Sequence, residues 1–475
     1  MDVRDYAAHD AVGLADLIRS GQVNAAEVHA AARSAIEAVN PQLNAVVGPL
    51  FDAPLDHDAS GPFAGVPFAI KDLVCHAAGV THEYGSRLTA GFAYPYDTSL
   101  MARWRAAGLA TMGRTNTPEM GFNASTEPVA NGPTRNPWDT TRSPGGSSGG
   151  SSALVAARAL PVAHANDGGG SIRIPAANCG LVGLKPTRGR TPVGPDADDP
   201  LYGLGIEFAV TRTVRDAAAL LDAVEGPDVG DRFAIARPAR PYATEVGADP
   251  GRLRVMLSPR GWADVFVDPA CVAAAEATGR VLAELGHEVD HGTPPVDVAG
   301  LDLVNLRYWC GFLAQAVYGL SETLGREVGD ATVEHTVARC AEFGRGFTMF
   351  DLAEAGAVQN AITRAVGGWF TDVDVLVTPT VSRPAWLLGE LDADDEHLDA
   401  PGWVGKVFTY APFTALFNVT GQPAVSLPVA TSPDGLPVGV QLVGRVGSED
   451  VLLRVAAQLE QAMPWSDRAP TVLAG

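Results

Sequence analysis

Segments of two kinds alternate along much of this chain, and that alternation limits its fold more than any other feature. Val66–Ile70 has the apolar texture of a strand and ends at Lys71-Asp72. A helical pattern follows over Ser99–Ala107, a strand over Leu109–Gly113, a helix over Ser152–Ala159 and a strand over Pro161–Ala165. Such alternation predicts an α/β protein with helices layered on a sheet. Strand patterns return at Val373–Val377, Ala424–Val429 and Val438–Val443, and a helix over Glu449–Gln461 closes the chain. The first forty residues read as helices: Leu14, Leu17 and Ile18 share a face, and Asn24-Ala25-Ala26-Glu27 has the capping-box form ahead of a helix over Val28–Val39. No internal repeat is present, which excludes a solenoid. At 475 residues the chain exceeds one small core, and a single core with a helical insertion fits the pattern better than two independent domains.

Composition narrows the function. The chain carries 34 Lys+Arg against 55 Asp+Glu, a formal net charge of −21. That balance disfavours nucleic acid or an anionic membrane as a partner, since either calls for a basic field. No apolar run reaches the ~18 residues of a membrane helix, and the polar, acidic opening Met1–Asp5 is not that of a signal peptide. Five scattered cysteines (Cys75, Cys179, Cys271, Cys310 and Cys340) include no CxxC and read as reduced thiols. A cytoplasmic protein is expected. Only Lys71, Lys185 and Lys406 among the 34 basic residues are lysine, so each lysine stands where arginine was not used.

Three familiar strings do not fit their surroundings. His287-Glu288-Val289-Asp290-His291 matches the zinc-protease pattern, which needs both histidines on one helical turn. Here the preceding helix stops at Gly286 and the string alternates like a strand, which would set the histidines about 13 Å apart; no metal is expected. Gly145-Gly146-Ser147-Ser148-Gly149 fits the G-x-S-x-G elbow, but Thr140–Pro144 before it is not a buried strand, and the last histidine, His397, lies in an acidic loop. No Gly-Lys-Ser/Thr follows the glycines, so a phosphate loop fails too. The acidic clusters at 196–199 and 392–396 read as solvated loops.

What remains are the Gly/Ser clusters 145–152 and 168–171 and a lysine at a strand end. Gly168-Gly169-Gly170-Ser171, an ordinary turn if taken alone, follows a strand and presents adjacent backbone N–H groups, a nest that suits an oxyanion. The serine at its end can be a nucleophile, given a base. No histidine motif supplies one. A buried lysine can be neutral and serve, whereas arginine cannot be deprotonated. Lys71 fits that need; the competing reading is a surface or salt-bridged residue, and Lys185 in Gly183–Thr187 is a rival that reads as structural.

These residues resemble the amidase signature family of serine hydrolases. The resemblance spans nearly the whole chain and is densest from Gly65 to Gly194. It rests on Gly65-Val66-Pro67-Phe68-Ala69-Ile70-Lys71-Asp72, Thr115-Asn116-Thr117-Pro118-Glu119, Ser143–Gly150, Asn166–Ala176 and Cys179–Thr187, with Gly421-Gln422-Pro423-Ala424 and Gly435–Gln441 agreeing. Among subgroups the chain is similar to bacterial amidases of nylon-oligomer degradation, through Pro118–Gly121, Thr134–Trp138 and Lys185–Arg190.

The resemblance implies a mixed central β-sheet covered by helices on both faces, with a helical insertion, in one domain over 1–475. It would hold a catalytic core segment at about 60–220, a variable, more helical substrate-side region at about 225–400 and a C-terminal return to the sheet at about 401–475. It implies a Ser–Ser–Lys triad: Ser171 the nucleophile, Ser147 rather than Ser148 the bridging serine, preceded by a cis Gly146–Ser147 bond, and Lys71 the base. The oxyanion hole would be Gly168, Gly169 and Gly170; Gly168 stands where many members carry a bulkier residue. Asp167 and Arg173 would pair and hold the loop. Gly121, Phe122 and Cys310 are candidate substrate contacts, with Phe122 where the nylon-oligomer subgroup carries a polar residue. The expected activity is hydrolysis of amides, including aryl amides, nylon-type oligomers and carbamates, with esterase side activity and no cofactor. Its partner would be a small-molecule amide or carbamate, with no nucleic acid or membrane, and the chain a monomer or homodimer. The alternative is a partner-dependent amidotransferase subunit that draws ammonia from glutamine.

Overall fold

The computed structural model describes residues 1–475 except Ala263. A three-stranded sheet holds β1 (Val46–Val47), β2 (Val66–Lys71) and β3 (Leu109–Thr115), with β3 in the centre, antiparallel to β1 and parallel to β2. Among the described residues the main sheet has eight strands: β4 (Val162–Asp167), β5 (Val182–Lys185), β6 (Ile206–Thr211), β7 (Arg254–Leu257), β8 (Glu288–His291), β9 (Val375–Pro379), β10 (Ala424–Thr431) and β11 (Pro437–Gly444). Their order is β4-β6-β5-β10-β11-β9-β7-β8. Pairing is antiparallel from β4 through β9 and parallel among β9, β7 and β8, so the sheet is mixed.

Period-two alternation in the central strands feeds two hydrophobic cores, one on each face. Val375, Val377, Val438, Val440, Leu442, Val425 and Leu427 point into the first core, while Leu376, Val443 and Ala424 point into the second. The first core is covered by N-terminal and C-terminal helices, among them α1 (Ala25–Leu43) and the helix Glu449–Ala462. Asn24 caps α1 by the reciprocal arrangement with Glu27 that its sequence announces. The second core is the helical region: the helices Val298–Leu324, His335–Arg345, Met349–Trp369 and Ala400–Tyr410 pack on the opposite face. The architecture is thus the mixed sheet with helices on both faces.

Two helices differ at their boundaries from the sequence expectation: the one expected over Val28–Val39 runs over Ala25–Leu43, and the second shift bears on the site. The helix expected over Ser152–Ala159 runs as α2 (Gly149–Ala156), starting inside the Gly/Ser run. Gly150 is not a helix breaker here but a close approach: a Cβ would lie 2.4 Å from Asn116 N and 2.6 Å from Ala45 O. Tertiary packing overrides the weak propensity of glycine.

Candidate active site

The site forms where β2 and β4 end side by side. Lys71, the last residue of β2, is fully buried. Its backbone N–H donates to His164 Nδ1 at 3.2 Å, and His164 Nε2 in turn meets Glu207 Oε2 at 2.8 Å. A side chain on β4 thus takes the place of a ladder partner and fixes the end of β2. Lys71 Nζ lies 2.6 Å from Ser147 Oγ, 3.1 Å from Ser148 Oγ and 2.5 Å from Asn166 Oδ1, all neutral oxygens. Burial draws the amine down to about 7, against the more distant charges of Glu207 and Asp167, which favour protonation. Asn166 is oriented by its own Nδ2, which donates to Leu73 O at 3.1 Å. Sequence reasoning passed over Asn166, His164 and Glu207. Asn166 lies in a string quoted above, next to Asp167, and could have been found there; Glu207 carries no local signal.

Ser147 follows a cis peptide bond with Gly146 and sits just ahead of α2, its side chain buried. A Cβ on Gly121 would come within 3.3 Å of Ser147 Oγ. Gly121 also borders the pocket that Ser171 and Gly169 open onto. Gly121 therefore adjoins Ser147 and borders the pocket of Ser171; the two serine hydroxyls make no direct hydrogen bond among the described residues.

The loop from Gly168 to Ser171 is held from behind. Arg173 Nε and Nη2 donate to Asp167 Oδ2 and Oδ1, each at 2.9 Å, and Arg173 Nη1 donates to Thr414 O at 2.9 Å and Gln441 Oε1 at 2.7 Å. Asn418 Nδ2 donates to Asp167 O and Oδ1, at 2.8 and 2.9 Å. Burial alone would raise the Asp167 carboxyl, but the Arg173 guanidinium and these donors hold it at about 2, so it is ionised. Thr414 Oγ1 donates to Gly169 O at 2.6 Å and ties that carbonyl back. None of the four backbone N–H groups from Gly168 to Ser171 is taken by an acceptor among the described residues. Gly170, at φ +143°, holds a conformation side chains rarely adopt, and a Cβ there would strike Thr414 Oγ1 at 2.4 Å. At Gly168 a Cβ would crowd Leu201 at 2.8 Å and the Trp309 ring at 3.0 Å, which is why a bulkier residue has no room here.

Phe122 stacks on Trp309 with ring centroids 4.5 Å apart, and both border the serine pocket with Ile174 and Phe408. No local pattern announces Phe408, which packs against Gly169 from more than two hundred residues away. The structure does not bring Cys310 to this pocket, and that expectation is corrected. Cys310 is fully buried and turned to Cys340, while the neighbouring backbone meets Gly344 so closely that a Cβ there would lie 2.0 Å from Cys310 O.

Lys185, the rival lysine, ends β5 and spends its Nζ on backbone carbonyls, Pro186 O at 3.0 Å and Gln422 O at 2.6 Å. The zinc-like string lies on β8 and the residue before it: His287 is buried with Nε2 on Gln458, while His291 is exposed near Glu276. No group of metal ligands forms among the described residues, and no helix among them is long and apolar enough to cross a membrane.

The amidase family profile matches residues 25–453. The chain belongs to the amidase signature family. It is an amide hydrolase, as its relatives are. It is 42% identical to the 6-aminohexanoate-cyclic-dimer hydrolase of Paenarthrobacter ureafaciens, over 98% of this chain and 97% of that one. It is also 39% identical to the putative amidase AmiC of Mycobacterium tuberculosis, over 96% of this chain and 95% of the relative. A solved structure of 6-aminohexanoate cyclic dimer hydrolase complexed with substrate superposes with a TM-score of 0.91 at 40% identity, covering 98% of this chain and 99% of that chain. A bacterial aryl acylamidase superposes with a TM-score of 0.83 at 25% identity, covering 96% of this chain and 97% of that one.

Proposed function

We propose that this amidase cleaves uncharged amides, and carbamates beside them, through a relay of Lys71, cis-Ser147 and Ser171. The observation that carries the reading is Lys71: a buried lysine held at about 7 on neutral oxygens, 2.6 Å from Ser147 Oγ. A neutral amine has two hydrogens and one lone pair. Asn166 Oδ1 can only accept, so it takes one hydrogen. Ser148 Oγ gives its own proton to Asn166 O at 3.3 Å and accepts the other. The lone pair is left for the hydroxyl hydrogen of Ser147, which selects Ser147 over Ser148 as the serine deprotonated.

As Ser171 Oγ attacks the carbonyl, its proton passes to Ser147 and that of Ser147 to Lys71. The free N–H groups of Gly168 to Ser171 suit the oxyanion that develops. The relay run backwards delivers a proton to the leaving amine, and water releases the acyl group by the same path. A carbamate places an oxygen or nitrogen on the far side of the same carbonyl and makes no new demand, and an ester asks less of the leaving-group proton. The Phe122–Trp309 stack favours uncharged, apolar surroundings for the carbonyl, and two relatives are named for hydrolysing a cyclic amide dimer. Anilides, nylon-type oligomers and aryl carbamates are therefore the substrate range.

The test is turnover of a nitroanilide and of a small aryl carbamate by the purified chain alone. Both are expected, and both are lost in Ser171→Ala. Glutamine hydrolysis that requires an added partner, with no anilide cleavage, would replace this reading by the amidotransferase one.

A further inference from the structure

The pocket in front of Ser171 holds only about 20 Å³ of free space, too little for a substrate's second half. Beside it lies a cavity of about 470 Å³, and the two share Phe408 and Ala411 as walls. The larger cavity is apolar on most sides, through Trp262, Leu301, Leu306, Pro401 and Val404. Three buried polar groups on this combined wall have no partner among the described residues: the Trp309 indole N–H, at the serine pocket, and the Trp262 indole N–H and Asn305 Oδ1, at the larger cavity. Trp309 and Asn305 are only 7% and 2% exposed. These two sit on the helix Val298–Leu324, four residues apart and so on one face, about 6 Å along its axis. A donor followed by an acceptor is the complement of a substrate with a carbonyl near the scissile group and an N–H group deeper in. A buried polar group without a partner is costly, and the usual remedy is a ligand or water that supplies the missing bond.

We propose that the 470 Å³ cavity is the subsite for the distal half of a substrate bearing a second amide or urethane, and that Asn305 is its polar anchor. An acceptor with amide donors beside it is best met by another N–H/C=O pair. The apolar walls take the aliphatic or aryl spacer between the two groups. Exposed Asp302 and Asp264 stand at the mouth, and the described lining carries no basic residue, so a distal carboxylate is disfavoured. The substrate class is then an uncharged di-amide or amide–urethane. This deepens the functional reading above and rests on it.

The experiment uses two matched pairs of linear amides. In one the second amide lies on the acyl side of the scissile bond, in the other on the amine side; each partner compound replaces that second amide by methylenes. Binding is measured to the Ser171→Ala protein by calorimetry, so the result does not depend on turnover, and kcat/KM is measured on the parent enzyme. In at least one pair the two-amide compound should bind about tenfold more tightly, and Asn305→Leu should remove that preference while leaving the one-amide compound unchanged. If Leu proves too unstable to assay, Asn305→Ala carries the same expectation, and retained turnover of the one-amide compound reports the fold. Equal affinity within both pairs, or equal weakening of both members by the Asn305 variant, overturns the subsite. Failure of Ser171→Ala to abolish turnover would overturn the relay and leave this binding result standing.

Discussion

The ends of β2 and β5 make an instructive pair. Each strand finishes on a lysine, two of the three in the chain, and each lysine is fully buried. Burial lowers both: Lys71 to about 7, and Lys185 well below its ordinary value with the charge of Arg173 adding to the effect. What separates them is what receives the amine. Lys185 faces two backbone carbonyls, which can only accept. Lys71 faces two hydroxyls and an amide oxygen, and a hydroxyl can also give a proton. A lowered pKa therefore makes a lysine available as a base, but only a neighbour with a transferable proton gives it something to do.

The largest effect that could break this comparison is on catalysis. Lys71→Met and Lys71→Arg should both lower kcat/KM by about 10³-fold, within the usual range for losing a general base. Arginine keeps the positive charge and cannot act as a base. Lys185→Met should leave kcat within a few-fold. Comparable loss in both lysine variants would show that burial, not the hydroxyl partner, is what matters.

Next in size is the support behind the Gly168–Ser171 loop. Asp167→Asn should destabilise the fold by about 3–5 kcal/mol in urea titration, because it leaves Arg173 charged and buried without its partner. The same measurement on Lys185→Met should give about 1–3 kcal/mol, since two buried carbonyls lose a donor and no charge is stranded. Reversed order would mean that Lys185, not the Asp167–Arg173 pair, holds this part of the sheet together.

These residues also mark how far the sequence could be read. Lys71, Ser147 and Ser171 lie in strings where local backbone shape and chemistry coincide: a strand end, a turn entering a helix, and a glycine nest after a strand. The Asp167–Arg173 pair is six residues apart and equally visible. The wall of the site is another matter. Phe408 reaches Gly169, Asn418 reaches Asp167 and Glu207 reaches His164 only because distant strands and helices are brought together. No local period encodes those meetings. Cys310 shows the reverse error: it adjoins Trp309, which does border the pocket, but successive helical residues point about 100° apart, and Cys310 faces the neighbouring helix. The start of α2 departs from its sequence pattern because Gly149 and Gly150 answer to close packing, not to helix propensity.

The smallest effect is the sharpest, because it asks which group sets the pH dependence. Lys71 must be neutral to accept a proton, and its amine sits at about 7. Below that value kcat/KM should fall tenfold per pH unit; above it the rate should level off. Glu119 and Glu334, carboxyls raised by burial to about 7 and about 8, titrate in the same range and could mimic this limb. Glu207 separates the cases. Its charge favours the protonated form of Lys71, and it reaches the lysine through His164. Glu207→Gln retains an oxygen for the hydrogen bond from His164 and deletes the charge. The acid limb should then move to lower pH by a fraction of a unit, with the plateau rate little changed. A limb that stays in place would assign it to another group, and a limb that moves upward would contradict the electrostatic account of Lys71 altogether.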